Sequence, residues 1–171
     1  MPLYDIEHVT PLTAPEKQAL ATAITDLHAK RFTTPKWFVN VRFNDASNVV
    51  VFRGGVERRY NRLVIRTRQG ARSIESYNEH CRDIVNAWRR IMEGNGKGEA
   101  GVGDERGLRT VWVTPVLLTA VDVGVARPGV GEEKSWVKQH WNEFERMAQE
   151  GDEDMKMLVE ELKGREEFVI D

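Results

Sequence analysis

The sequence predicts an α/β (α+β) fold in which a strand-helix-strand unit occurs twice, followed by a helical appendage. Three observations carry this expectation. Twenty valines against ten leucines favour extended segments, because branching at Cβ restricts helical rotamers and packs well on a pleated surface. Two helical periodicities each lie between short apolar runs and are long enough to cross over between parallel strands. Beyond Pro128-Gly129 the composition shifts to acidic helical sequence. The expected boundaries are 1–129 for the body, with units of about 2–56 and 57–125, and 130–171 for the extension.

Leu3 to Val9 reads as a first strand that starts almost at the amino end. Thr13-Ala14-Pro15-Glu16 then reads as a helix start, with Thr13 as cap, Glu16 at the reciprocal capping position and Pro15 in the tolerant first turn. This helix is expected to reach about Arg31 with an apolar stripe of Leu20, Ala23, Ile24 and Leu27. His28 lies about 100° round from Leu27, at the border of that stripe, where it can face a cleft. Trp37 to Phe43 alternates as a strand, and Val49 to Phe52 followed by Gly54-Gly55 is expected to pair with it as a hairpin.

Arg62 to Arg68 opens the second unit and ends at Gly70. Ser73 then starts a helix whose apolar set is Ile74, Tyr77, Cys81, Ile84, Val85, Trp88, Ile91 and Met92, the clearest periodicity in the chain. Gly94 to Gly107 holds six of the fourteen glycines with charges between them and is expected to be a mobile loop. Arg109 to Thr119 returns as a strand. In the extension, helices are expected at Ser135–Glu150 and Asp152–Lys163, with Trp136, Trp141, Phe144, Met155, Leu158, Val159 and Leu162 docking on the body or on a neighbour.

The chain has 171 residues, a formal charge of -2 and a pI near 6.1, which excludes bulk attraction to nucleic acid or an anionic membrane. No apolar stretch approaches the roughly 20 residues that span a bilayer. One cysteine and an opening without a basic, apolar leader fit a reducing, cytoplasmic setting. Cys81 lies on the helical apolar stripe and reads as core. His8, His80 and His140 are widely spaced and offer no metal-ligand pair, so no metal and no cofactor is expected. The glycine-rich segment lacks the Lys-Ser/Thr ending of a phosphate loop, and no strand carries the basic-aromatic pattern of an RNA-binding sheet.

Two features carry candidate chemistry. Pro2, once Met1 is removed, starts the chain with a secondary amine whose lone pair has a fixed direction. Burial and guanidinium neighbours favour its neutral, basic form, and a carboxylate favours the protonated, acidic form. Arg68 and Arg72 flank the turn before the second helix and can aim two planar forks at one carboxylate beside a helix start. By residue type alone the plainer readings also stand: Pro2 as an ordinary second residue, and these arginines as part of a solvated surface with Arg53, Arg58, Arg59, Arg62 and Arg66.

Met1-Pro2-Leu3-Tyr4, the helix from Leu12-Thr13 to Ala23-Ile24-Thr25-Asp26-Leu27-His28, Gly54-Gly55-Val56 and Arg68-Gln69-Gly70-Ala71-Arg72-Ser73 together resemble the tautomerase superfamily, in particular the cis-3-chloroacrylic acid dehalogenase group. The resemblance spans about residues 1–129 and leaves the acidic extension aside. It implies two fused β-α-β units forming a mostly four-stranded sheet with two helices on one face, assembled as a homotrimer. It implies a small carboxylate substrate and matches Pro2, His28, Arg68 and Arg72 to functional positions, with Arg66 as the alternative clamp. Asp122 falls where the group uses Glu, and Thr114 where it uses Tyr. Ala71 is an extra residue between the arginines. The implied activity is a cofactor-independent tautomerase with Pro2 as acid-base residue. The alternatives are a cis-3-haloacrylate dehalogenase or hydratase, in which Asp122 activates water, and a non-enzymatic oligomer whose tail binds a partner.

Overall fold

The computed structural model describes residues 2–68, 70–93, 106–115, 121–122 and 125–168, with the backbone alone described at 121–122. Strand β1 (Leu3–His8) leads into helix α1 (Ala14–Phe32), a 3-10 turn at Lys36–Phe38 and strand β2 (Asn40–Asp45). Short strands β3 (Phe52–Arg53) and β4 (Val56–Glu57) precede β5 (Asn61–Arg66), α2 (Ile74–Met92) and β6 (Leu108–Thr114). Strands β7 (Val121–Asp122) and β8 (Val125–Ala126) then lead to α3 (Glu133–Gln149) and α4 (Glu153–Lys163). Most of the expected Gly94–Gly107 loop, and residues 116–119 of the expected last strand, lie outside the described residues.

The main sheet has the order β2-β1-β5-β6. Strand β1 runs parallel to β2 and β5 parallel to β6, while β1 and β5 are antiparallel. Each parallel pair is bridged by one helix, so the doubled strand-helix-strand unit is the observed architecture. The helix starts follow from local chemistry. The Thr13 side chain accepts from the Glu16 amide, while Glu16 accepts from the Thr13 backbone at 2.7 Å, satisfying donors on both sides of the cap. Ser73 caps α2 by accepting from the Ser76 amide at 3.1 Å.

Both helices cover one face of the sheet. Tyr4, Ile6, Leu63, Ile65 and Leu108 from the strands meet Leu20, Ile24, Ile84, Trp88 and Met92 from the helices in a single core. The period of two puts Pro2, Tyr4, Ile6 and His8 on that covered face. The opposite face carries ion pairs instead: Asp5 with Arg42 and Arg66, and Glu7 with Arg62.

Three expected local features differ. Lys36–Phe38 forms a 3-10 turn, and β2 pairs with β1 and not with the segment at 49–52. Gly54-Gly55 instead closes the small β3–β4 hairpin, with φ of 60° and 75°, the backbone that a tight two-residue turn demands at both central positions. Ile74 is also 79% exposed, because the first helical residue lies ahead of the turn that seats α2 on the sheet. Tyr77 is the first of the stripe to be buried.

The extension builds a second core from Trp136, Val137, Phe144, Met155, Leu158, Val159, Leu162 and Phe168, and takes Phe38 and Val125 from the body into it. Its link to the body is polar as well. Glu161 accepts from the Lys36 amide at 2.9 Å, and Arg165 donates to the Thr34 carbonyl at 2.9 Å. Arg127 lies in the same seam, its guanidinium 3.9 Å from the Trp37 ring centroid and 4.2 Å from that of Phe38. Among the described residues no helix is long and apolar enough to cross a membrane.

Candidate active site

Pro2 is buried at the start of β1, and its carbonyl accepts from the Asn40 amide at 3.1 Å. The register sets Leu3 opposite Arg66, so Pro2 sits where β5 leaves the sheet for the turn that carries Arg68 and Arg72. Antiparallel pairing of the two units therefore brings the start of one unit to the strand-helix turn of the other. Pro2, His28, Thr34, Phe38, Thr67, Arg68, Arg72, Val130 and Glu133 line one enclosure. Four of the five residues singled out from the sequence thus meet in one place.

The fifth, Asp122, lies in β7, where its backbone pairs with Val125; its side chain is outside the described residues. Thr114 is elsewhere: its hydroxyl donates to the Ile65 carbonyl at 3.3 Å, and it lines a separate groove. Arg66, the alternative clamp, does not line the Pro2 enclosure and pairs with buried Asp5.

Each arginine is held by its surroundings. Arg68 donates to the Pro128 carbonyl, and its own carbonyl accepts from the Tyr77 hydroxyl at 3.2 Å. The Arg72 guanidinium lies 4.4 Å from the Phe32 ring centroid, a cation–π contact that restrains the fork. Arg72 and Thr67 also line the neighbouring groove of about 730 Å³, walled by Ile74, Tyr77, Val111 and Trp112. Cys81, on the same groove wall, is half-buried, and burial raises its thiol pKa, which disfavours the nucleophilic thiolate.

The space beside Pro2 measures about 10 Å³, roughly that of a single water. It is narrow because the chain between β8 and α3 lies over it. Val130 packs so closely on Gly70, which has a φ of 53°, that a Cβ there would come within 2.3 Å of a Val130 methyl. Glu133, 7% exposed, accepts from the Gly131 amide at 2.8 Å and adds a carboxylate to the enclosure.

Behind His28 lies a buried polar cluster. The Tyr4 hydroxyl is 2.6 Å from His28 Nδ1 and 2.7 Å from His80 Nε2. All three side chains are at most 1% exposed. Burial holds the His28 imidazolium pKa well below its ordinary value, aided by His80 and the Arg72 charge. Burial, with the Arg31 charge, likewise lowers His80 to about 4. In the unfolded chain both rings take up a proton near pH 6.5. Between pH 6.5 and 4 the unfolded state therefore binds more protons, so stability falls as pH falls through that window. The expected result is a urea midpoint that drops steadily from pH 7 to 4.5; a flat midpoint would contradict neutral burial of both rings.

Tyr4, His80 and Glu133 were not marked by the sequence as site residues. Tyr4 carried a signal, since it shares a strand face with Pro2, and so did His80, which lies on the apolar stripe of α2 between Tyr77 and Ile84. Glu133 had none, because only the turn after Pro128 brings it over Pro2.

A family model described as "Putative oxalocrotonate tautomerase enzyme" matches residues 1–140. Among solved structures, a member of the cis-3-chloroacrylic acid dehalogenase family is similar in fold: 17% identity, TM-score 0.59, covering 78% of this chain and 89% of that one. A protein described as a probable enzyme from the thermophilic fungus Aspergillus fumigatus is 29% identical, with a TM-score of 0.54, covering 81% of this chain and 94% of the other. No curated protein matches the sequence.

Proposed function

The chain belongs to this oxalocrotonate tautomerase family, and on that premise we propose that it is a cofactor-independent tautomerase of small 2-oxo or unsaturated carboxylic acids, with Pro2 as the acid-base residue. The observation that carries the proposal is the meeting of Pro2, His28, Arg68 and Arg72 in one enclosure. Two guanidinium groups and burial favour the neutral amine, which can take a proton from the carbon beside a ketone and return it elsewhere. Arg68 and Arg72 hold the carboxylate and stabilise the enolate charge that develops next to it. His28, kept neutral, adds a hydrogen-bonding nitrogen without adding a competing charge.

A space the size of one water does not admit such an acid. Binding therefore requires the Val130–Glu133 cover to shift, or the acid to reach Arg72 from the larger groove. That groove shares Thr67 and Arg72 with the enclosure, so its apolar wall suits a substrate with an apolar end.

The second reading, hydrolytic dehalogenation or hydration of a cis-3-haloacrylate, needs a protonated Pro2 and a carboxylate that activates water. Asp122 is the residue proposed for that step, and the Glu133 carboxylate is the observation that favours keeping this reading, since it would help to retain the proton on Pro2. The test is turnover of phenylenolpyruvate against cis-3-haloacrylates as a function of pH. Activity on the enol that falls as Pro2 becomes protonated supports the tautomerase. Activity on the haloacrylate that needs the protonated amine supports the alternative, and indifference of both reactions to Pro2 supports the non-enzymatic oligomer.

The homotrimer belongs to the same proposal. Val49, Val50, Phe52 and Val56, exposed around the β3–β4 hairpin, and Trp112 on the edge strand β6 are the surfaces that support it. Light scattering on the purified protein reads the assembly directly.

A further inference from the structure

The cluster behind His28 has a direction, and that direction follows from counting protons. A tyrosine hydroxyl has one hydrogen, and here it bridges two ring nitrogens, His28 Nδ1 and His80 Nε2. One ring must therefore donate to Tyr4 and the other must accept from it. The two remaining nitrogens, His28 Nε2 and His80 Nδ1, are buried and have no hydrogen-bond partner among the described residues.

Only two neutral arrangements exist. If His28 donates from Nδ1, Tyr4 donates to His80, and the proton of His80 is stranded on Nδ1 with nothing to accept it. If His80 donates from Nε2, Tyr4 donates to His28 Nδ1, and His80 buries only an unused lone pair. Each arrangement leaves one N–H without a partner, on His80 Nδ1 in the first and on His28 Nε2 in the second. His28 lines the Pro2 enclosure and His80 does not, so only the second puts that hydrogen on the ring bordering the space where a bound oxygen can accept it, and it is the arrangement the site favours. The proton of His28 then sits on Nε2, the one unpartnered nitrogen of a ring that lines the Pro2 enclosure.

We infer that Tyr4 and His80 are positioning residues that fix His28 as its Nε2–H tautomer, so that it presents a third donor, with Arg68 and Arg72, to an oxygen of the substrate. Phe32 packs against all three groups: its ring centroid is 4.7 Å from that of His28 in a tilted contact, 5.1 Å from that of His80 in an edge-on contact, and 4.4 Å from the Arg72 guanidinium. The arrangement gives the fully buried His80 a partner in Tyr4 and a role in the cluster. It also makes the site selective for substrates that accept a hydrogen bond at the His28 position. A group that can only donate there would face three donors with nothing to receive it.

The inference deepens the proposed function and rests on it for the substrate, but its first test does not need turnover. Long-range 1H–15N correlation spectra of the full chain at neutral pH report which nitrogen of each ring carries hydrogen. Nε2–H on both His28 and His80 is expected, and Nδ1–H on either ring overturns the inference. The second test uses phenylenolpyruvate kinetics. His80→Leu removes the donor to Tyr4 and Tyr4→Phe removes the bridge; each is expected to raise KM by about tenfold, with a smaller change in kcat. His80→Gln, whose amide can still donate to Tyr4, is expected to restore KM to near the wild-type value. Equal KM values for His80→Leu and His80→Gln would overturn the positioning role. If the wild-type protein shows both Nε2–H tautomers yet turns over no 2-oxo acid, the proposed function fails while the fixed tautomer stands.

Discussion

Pro2→Ala is expected to lower kcat/KM for phenylenolpyruvate by about 10²- to 10⁴-fold, the range that a positioned acid-base group contributes. Alanine also offers an amine, but a primary one on a chain end that no ring constrains, so its lone pair is not held toward the substrate carbon. The Asn40 amide that donates to the Pro2 carbonyl would still anchor the strand start, so folding is expected to survive the change. Intact-mass measurement belongs beside the kinetics. A chain that retains Met1 has an amide at Pro2 and no basic nitrogen there, and loss of activity on Met1 retention would support the same role. Unchanged kcat/KM in Pro2→Ala, with Met1 absent from both proteins, removes Pro2 from the mechanism.

Arg72→Ala carries the other large effect, an increase in KM of about 10²-fold, because it leaves a substrate carboxylate beside one fork instead of two. Arg72→Lys is expected to recover only part of this loss. An ammonium restores the charge, but not the planar pair of donors or the guanidinium's contact with the Phe32 ring. Arg66→Ala provides the contrast. Arg66 pairs with Asp5, whose side chain is only 4% exposed, so its loss is expected to lower the melting temperature and leave KM in place. Steady-state kinetics and thermal unfolding of the three variants separate these outcomes. An Arg66→Ala protein with the KM defect and an Arg72→Ala protein without it would reassign the clamp.

The two arginines also show how far the linear chain reaches. Arg68 and Arg72 were singled out because they flank a strand-helix turn, a local feature. That the amino-terminal proline lies beside that turn is not local. It follows from the antiparallel pairing of β1 with β5, which sets Leu3 opposite Arg66. Only the likeness to a known family anticipated that meeting, because spacing and periodicity describe neighbours along the chain. His28 was placed at the edge of its helix stripe, and it is 1% exposed, since α2 and Tyr4 close over that edge.

Periodicity and capping chemistry in the sequence determined the doubled strand-helix-strand body, both cap positions and the two helices of the extension. Those features depend on contacts within a turn or two, where composition is decisive. Tertiary structure decided three things: the pairing of β2 with β1 in preference to a hairpin, the burial of His80 against Tyr4, and the laying of Val130 and Glu133 over Pro2. Each joins residues more than thirty positions apart. Such contacts form because whole faces need covering, and a face is a property of the assembled sheet and helices, not of any short stretch of sequence.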